Sequence, residues 1–267
     1  MLKIRNVKYK NVTFGFAHRL IFFFLSTIIF FSCNTESVSD CLQNAGDIVR
    51  KEIVVSDFTK ITVFEKIQLI LKEGPVTRVE VETGEFLMNE VSAMVEEGRL
   101  ILKNENGCNL FRKYAITIVY VTAPNIEEIR SSTGLPIQGD GVLTYSNITL
   151  LSESFINEET ETTDGEFDLQ LDSQKINIVV NGIAYFKIRG KTENLNITIA
   201  SGDSRVEAEN LVAEHISLNH RGSNDLLIDP QQSLKGVIRG TGDVISFNRP
   251  AEVSVQELFN GRLIFKE

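Results

Sequence analysis

The segment VIRGTGDVISF, residues 237–247, decides the fold because it is one copy of a repeat. A nearly identical segment, LNHRGSNDLLI, occupies residues 218–228, and looser copies occupy residues 179–186, 199–206 and 258–265. Their turn residues recur about every 20 positions, a period typical of stacked repeat architectures. These residues are Gly182, Gly202, Asn224, Gly242 and Gly261. Since short β-branched runs flank each turn, the repeated unit is a strand with a tight corner.

The corner residues suit a chain that must reverse direction within a few positions. Glycine adopts positive φ at little cost and asparagine is its best substitute, so Asn224 in the position of Gly242 indicates a backbone requirement. An aspartate follows in three of the corners, at Asp203, Asp225 and Asp243. Its carboxylate can accept backbone N–H groups, so these aspartates are predicted to cap the turns.

Two earlier corners extend the repeat toward the N-terminus, at Gly134 and, with serine in the glycine position, at Ser154. The interval from Ser154 to Gly182 exceeds the others by about eight residues, which fall in the acidic segment 157–164. Insertions into a solenoid map to corners, so this segment is predicted to be a solvated loop. A calcium site there is the alternative, although the spacing of a calcium-binding loop is absent.

Residues 48–123 also have β character but show no clear repeat. Enrichment in Val, Ile and Thr with partial alternation predicts strands over residues 48–55, 61–71, 76–83, 99–103 and 114–122. Residues 86–95 fit a short helix or a strand. The sequence thus predicts an irregular β region followed by coils that bury their apolar sides against one another.

Residues 1–32 have the features of an export signal. They contain five basic residues and no acidic residue, and their apolar core at residues 20–31 is too short to cross a roughly 30 Å bilayer as a helix. Cys33 follows directly, which predicts a lipoprotein-type signal peptide and acylation of Cys33. The alternatives are an ordinary signal peptide cut nearby and an uncleaved anchor. Residues 33–46 are polar and are predicted to be a tether before a domain at residues 47–267.

The charge balance excludes one class of partner. The chain has 27 Lys+Arg and 36 Asp+Glu, and removing the five basic residues of the leader leaves 22 against 36, or near −14. Such an acidic body is predicted not to bind nucleic acid, because affinity for phosphate backbones rests on cationic side chains. Export permits a disulfide between Cys41 and Cys108, but two unpaired thiols fit the sequence equally well. No metal and no cofactor are predicted, since neither a Cys/His cluster nor a nucleotide-binding motif is present.

The polar residues show no catalytic signature. His215 and His220 lack a nucleophile elbow or an equivalent context, and are predicted to be surface or corner residues. For the stacked corner aspartates, cation binding and catalysis are alternatives to turn capping. Arg221 and Arg239 occupy the same position in successive repeats, where they form either a cationic ladder for carboxylated glycans or pairs with neighbouring acids. The sequence therefore predicts a protein that is not an enzyme.

Several segments, taken in order, resemble the bacterial "putative auto-transporter adhesin, head GIN domain" family. They are Asp40-Cys41-Leu42, GCNLFR at residues 107–112, APNI at residues 123–126 with Gly134 beyond it, and the Gly-Asp phrases at residues 200–203 and 240–243. The resemblance covers residues 41–267. It implies a right-handed parallel β-helix-like solenoid with a more irregular N-terminal β portion, in an exported Bacteroidetes-type protein of the cell envelope.

These observations predict a lipid-anchored, non-enzymatic envelope protein of the outer membrane, on its periplasmic or surface face, that acts as an adhesin-like binding or structural module. Its predicted partners are the membrane, through the anchor, and an unknown glycan or protein ligand. Two alternatives remain. One is a carbohydrate-active β-helix enzyme acting on polysaccharide, which needs acids that converge in a cleft. The other is an envelope accessory protein that binds another protein.

Overall fold

The computed structural model describes residues 44–107, 117–155 and 160–266, and this part of the chain is almost entirely β. It contains 17 strands and one short 3-10 helix, with 62% strand and 3% helix. All of these strands belong to a single sheet that nearly closes on itself. The predicted all-β class is confirmed.

The N-terminal portion combines parallel and antiparallel pairing. Its elements are β1 (Ile48–Ile53), β2 (Lys60–Val63), β3 (Gln68–Glu73), β4 (Arg78–Gly84), the 3-10 helix (Glu85–Glu90), β5 (Val91–Glu96), β6 (Arg99–Asn104), β7 (Ile118–Ala123), β8 (Glu128–Ser131) and β9 (Pro136–Leu143). The pairs β1–β4, β4–β7 and β5–β6 are antiparallel. In contrast, β2 pairs in parallel with β6 and β8, and β3 pairs in parallel with β7 and β9.

The C-terminal portion is parallel throughout the described residues. Its strands are β10 (Asn147–Ser152), β11 (Glu166–Val180), β12 (Tyr185–Ile199), β13 (Arg205–His220), β14 (Leu226–Ile238), β15 (Val244–Ser246), β16 (Glu252–Glu257) and β17 (Leu263–Phe265). The first half of β11 pairs with β9 and the second half pairs with β10. At the other end, β14 pairs with β15 through its first half and with β16 through its second half. Each long strand therefore contributes to two sides of the stack.

The core is continuous because inward positions of neighbouring strands are in register. Phe167 of β11 lies beside Phe186 of β12, and their rings stack with centroids 4.8 Å apart and planes 5° apart. Buried apolar and outward polar residues alternate along each strand, as expected for a sheet with one buried side. The alternation is interrupted in β11 by two consecutive exposed residues, Gln174 and Lys175, where the strand passes from one side of the stack to the other.

Two predictions in the N-terminal portion need correction. Residues 61–71 form two strands rather than one, because the chain turns between β2 and β3 and Lys66 adopts a φ of 67°. Residues 86–95 divide between the 3-10 helix and β5. Both segments are apolar on each side of a turn, so their composition did not reveal the break.

Several predictions fall outside the described residues. They are the leader and tether up to residue 43, acylation of Cys33, the pairing of Cys41 with Cys108, and the start of the strand at residues 114–122. Among the described residues, no helix is both long and apolar enough to cross a membrane.

Candidate functional site

The predicted corner residues all lie in the connections between strands. Gly134 lies between β8 and β9, Gly182 between β11 and β12, and Gly202 between β12 and β13. The remaining three follow β13, β14 and β16, at Asn224, Gly242 and Gly261.

The sequence predicts positive φ as the reason for glycine at the corners, and this explanation is wrong for most of them. Of the predicted corner residues, Gly202 has positive φ (91°), and Gly134, Gly182, Asn224, Gly242 and Gly261 do not. What the corners require is close approach between coils. A Cβ on Gly182 would lie less than 3.0 Å from the Thr163 carbonyl oxygen, and one on Gly242 would lie equally close to the carbonyl oxygen of Asn224. Glycine is needed where the backbone of one coil rests on the backbone of the next.

The corner aspartates form hydrogen bonds along the stack. Asp225 accepts the backbone N–H of Asp243 at 3.0 Å, and Asp243 accepts that of Arg262 at 2.8 Å. Asp203 accepts the hydroxyl of Ser223 at 2.7 Å. Each carboxylate thus binds a group of the following coil, which is a structural use of the acid.

The acidic insert is partly built into a corner. The Ser132 hydroxyl accepts the backbone N–H of Glu161 at 2.8 Å, and Thr163 accepts the N–H of Ile183 at 3.0 Å through its carbonyl. The described end of the insert, residues 160–164, is a loop that is exposed or half-buried and is held against the stack by these hydrogen bonds. Ser154, which was aligned with the corner glycines, lies at the opposite end of the same connection.

The first halves of the long strands form a surface that we call the charged face, comprising the outward side chains of residues 166–172, 185–191, 205–210 and 226–229. Its charges are largely neutralised within the face. Arg189 pairs with Asp168, Lys191 pairs with Asp172 at 3.1 Å, and Arg205 pairs with Glu207 at 2.9 Å.

A tyrosine completes the network on the charged face. The Tyr185 hydroxyl donates to Glu207, and this hydrogen bond, together with that from Arg205, lowers the pKa of the carboxyl. The same hydrogen bond, with burial, raises the pKa of Tyr185 to about 12. The phenol therefore remains a donor through the physiological range.

The second halves of the strands form a different surface, which we call the amide face. It comprises the outward side chains of residues 147–152, 175–181, 194–201, 215–222 and 233–240. These five segments contain no aspartate or glutamate, although the chain has 36. They also contain no Phe, Tyr or Trp. Asparagine, serine, threonine and a few cations occupy most of the outward positions.

The amides at the centre of this face are oriented by hydrogen bonds between coils. Thr149, Asn177 and Asn196 lie side by side on β10, β11 and β12. The Asn177 Nδ2 donates to Thr149 Oγ1 at 3.1 Å, and the Asn196 Nδ2 donates to Asn177 Oδ1 at 2.9 Å. The ladder continues with Ser217 on β13 and Lys235 on β14.

The predicted arginine ladder lies at the end of the amide face. Arg221 and Arg239 are exposed and directly follow His220 and Ile238, which are paired in the sheet. Neither arginine forms an ion pair within residues 44–107, 117–155 and 160–266, and neither does Lys175. Lys235, near the last coil, pairs with Glu252 at 2.9 Å. The alternative in which Arg221 and Arg239 pair with neighbouring acids is therefore not what the structure shows.

The two histidines differ sharply in environment. His215 is exposed, and its Nδ1 lies 2.9 Å from the Ser233 hydroxyl. His220 points inward and is fully buried, with the backbone of Asn224 and Gly242 beside its ring. Burial lowers the pKa of His220. The prediction of a surface or corner position thus needs correction for His220, whose ring lies beneath the corner.

The sequence did not predict the buried ion pair between Arg130 and Glu153. Arg130 on β8 and Glu153 after β10 pair with side-chain exposures of 7% and 0%. Glu153 also accepts the backbone N–H of Phe155 at 3.0 Å. The pair joins adjacent coils, since Arg130 lies beside Leu151 in the sheet. Only the register could have revealed it, because the two residues are separated by 23 positions.

Two open pockets beside the described residues are lined by none of the corner aspartates. One, of ≈430 Å³, lies beside Glu65, Lys66 and Glu161, and burial raises the pKa of Glu65 with Asp164 and Glu161 adding to the effect. The other, of ≈450 Å³, crosses the bends of β11, β12 and β13. The described residues contain no group of three or more His, Cys, Asp or Glu side chains that could hold a metal ion.

Comparison with known proteins bears on this architecture. A family model described as "Putative auto-transporter adhesin, head GIN domain" matches residues 57–250, so the predicted resemblance is confirmed. That family indicates an extracellular or envelope-associated protein. No curated protein matches the chain significantly.

Solved structures from Bacteroidales share the fold. A "putative adhesin" from Bacteroides fragilis NCTC 9343 is similar with a TM-score of 0.73 and 18% identity, over 82% of this chain and 97% of that one. A "putative lipid binding protein" from Parabacteroides distasonis ATCC 8503 gives 0.60 and 14%, over 83% and 98%. A "putative adhesin" from Parabacteroides merdae ATCC 43184 gives 0.56 and 17%, over 83% and 97%. At these identities the similarity shows the fold alone.

Proposed function

Because the chain belongs to the head GIN domain family, described as that of an auto-transporter adhesin, we propose that it is a lipid-anchored, non-enzymatic binding module of the cell envelope. Its ligand is a glycan or a protein outside the chain, and its anchor is the acylated Cys33. The proposal places it in the outer membrane, facing either the periplasm or the cell surface.

The length of the strands that form the two faces is the observation that carries this proposal. The strands β11, β12 and β13 are 15, 15 and 16 residues long, and β14 has 13. Their parallel stacking builds two extended faces on a buried core, with continuous register on the amide face and register shifts on the charged face. Rigid extended surfaces bind extended partners with little ordering cost, which suits adhesion.

We also infer that the stack is a right-handed parallel β-helix-like solenoid. Support comes from the parallel pairing of each long strand with the strand one repeat later, because parallel crossover connections within one sheet are right-handed in about 98% of cases. A crystal structure showing left-handed coils would contradict this inference.

The anchor can be tested by fractionating cells that express the full chain. Replacing Cys33 with Ala removes the acylated thiol, so we expect the protein to move from the membrane fraction to the soluble fraction. Cys41→Ala is the matched control and should remain with membranes. Retention of the Cys33→Ala protein in the membrane fraction would contradict lipid anchoring.

The binding role can be tested on the same cells. Cells that express the protein should adhere better to surfaces coated with envelope extract than cells without it. The non-enzymatic part of the proposal predicts that the purified protein releases no new reducing ends from polysaccharides. Cleavage that disappears in Asp203→Asn or Asp243→Asn would favour the carbohydrate-active enzyme instead.

A further inference from the structure

Most outward side chains of the amide face are exposed or half-buried. Its outward side chains come from five parallel strand segments in register, so neighbouring positions on adjacent coils are about 4.8 Å apart. One extended ligand that crosses the strands would therefore contact a side chain from every coil.

The charge of this face is opposite to that of the rest of the protein. Its five segments have no acidic residue, and Lys175, Arg221 and Arg239 form no ion pair among the described residues. Three of the four cations on the charged face do form ion pairs. Unpaired cations in an otherwise acidic body are complementary to a negatively charged partner.

The two arginines are arranged for carboxylates. Arg221 and Arg239 follow a paired set of residues on adjacent strands, so their guanidinium groups project from neighbouring coils. Two like charges at that spacing repel each other unless an anion lies between or above them. The planar guanidinium fork binds carboxylates through two parallel hydrogen bonds, which a lysine cannot do.

The oriented amides suit a ligand rich in hydroxyl groups. Asn177 and Asn196 each use one N–H in the ladder, which fixes the plane of the amide and leaves the other N–H and the free lone pairs for a ligand. The absence of aromatic side chains from the five segments argues against nucleic acid, whose bases stack on aromatic platforms. It also argues against a protein partner, since protein interfaces depend on aromatic anchors.

We propose that the amide face binds an acidic polysaccharide, with Arg221 and Arg239 contacting its carboxylates and Asn177 and Asn196 contacting its hydroxyls. This inference rests on the proposed function as a binding module and adds the surface and the ligand class.

The test uses the full-length protein purified in detergent, with polygalacturonate as the acidic probe and dextran as the uncharged one. Polygalacturonate should bind and dextran should not. The double substitution Arg221→Gln/Arg239→Gln should weaken binding about tenfold or more, because charge-assisted hydrogen bonds are lost. The matched control, Lys187→Gln/Arg189→Gln, changes the net charge equally on the charged face and should stay within about twofold.

A second variant separates specific contacts from simple attraction. Asn177→Ala/Asn196→Ala leaves the charge unchanged and should weaken binding a few-fold, with both arginines intact. Thermal unfolding of every variant checks that the fold is retained.

Three outcomes would overturn the inference: equal losses in the two charge variants, no loss in the asparagine variant, or competition by single-stranded DNA as strong as that by polygalacturonate. The absence of polygalacturonate binding would also overturn it. If cells carrying the protein still adhered and the protein still fractionated with membranes, the proposed function would stand without it.

Discussion

The charged face comes from the first halves of the four long strands, and the amide face comes from their second halves together with β10. The two faces differ in how their charges are arranged. On the charged face, acids and bases neutralise one another, across neighbouring strands in Arg189–Asp168 and along β13 in Arg205–Glu207. On the amide face, acids are absent, and the cations Arg221 and Arg239 form no ion pair with any residue that the structure describes.

Under the proposal made above, solubility and recognition are handled on separate sides of the stack. Exposed ion pairs contribute little to stability, typically about 0–1 kcal/mol, so the charged face serves mainly to keep the protein in solution. The lack of acidic residues on the amide face does not make the protein more soluble. An external ligand is therefore the better explanation for the composition of this face. The predictions below test how far each face depends on its charges.

The largest effect is expected where a charge pair lies between coils and is shielded from water. Arg130→Leu removes the cation of the buried pair with Glu153, which should lower the free energy of unfolding by about 3–5 kcal/mol. Chemical denaturation of the single variant measures this loss.

The double variant Arg130→Leu/Glu153→Gln is the control for the buried pair. Neutralising the buried carboxylate as well should restore part of the stability lost in Arg130→Leu. If the single variant lost less than about 1 kcal/mol, the pair would behave as an exposed one and the contrast with Arg205–Glu207 would disappear.

The next largest loss of stability is expected from a substitution at Gly242, in the corner after β14. Gly242→Val places a side chain against the Asn224 carbonyl oxygen and should cost about 3 kcal/mol, because the coils cannot approach as closely. Thr241→Ala, at an exposed bend one residue earlier, should change the free energy of unfolding by less than about 0.5 kcal/mol. Equal stability of the two variants would argue against backbone contact between the corners.

The corner also shows how much could be predicted from the sequence. The repeat period predicted the positions of Gly182, Gly202 and Gly242, because a corner present in each coil places the same residue type at a regular spacing in the sequence. It did not reveal why glycine is required, since positive φ and close approach select the same residue. That distinction depends on what the neighbouring coil places opposite each glycine.

The candidate surface was harder to predict for a related reason. Arg221 and Arg239 could be aligned from the repeat. The lack of acidic residues around them was not apparent, because that surface is assembled from five separate segments. The pair Arg130–Glu153 depends on a register across the acidic insert, and the sequence does not specify that register. Residues that act within one repeat were therefore predictable, and residues that act between dissimilar coils were not.

A pH-dependent effect is expected beneath the end of the amide face. Burial lowers the pKa of His220 in the folded protein, so below about pH 6.5 the unfolded chain takes up a proton first. Stability is therefore lost as the pH falls from that value, by at most about 1.4 kcal/mol per pH unit. His220→Ile, which introduces the residue found at Ile199 and Ile238 on either side, should remove this component.

The exposed histidine of the amide face provides the control for His220. His215→Gln removes an exposed imidazole rather than a buried one, and its unfolding is measured between pH 7 and pH 5 alongside that of His220→Ile. If wild type and His220→Ile lost stability in parallel over that range, burial of the imidazole would not be the cause.

The smallest effect is expected on the charged face, where it separates the two surfaces most clearly. Tyr185→Phe removes the hydrogen bond to Glu207 and should lower the free energy of unfolding at pH 7 by about 1 kcal/mol. The pKa of Glu207 should then rise, because the strongest contact that lowers it is gone. The bond stabilises the fold above the unfolded pKa of the carboxyl, so wild type and variant should converge in stability as the pH falls toward 3.

Tyr120→Phe is the control, since its hydroxyl has no hydrogen bond to any described residue. Polygalacturonate binding should be the same in both variants and in wild type; weaker binding by Tyr185→Phe would mean that the two faces are not independent.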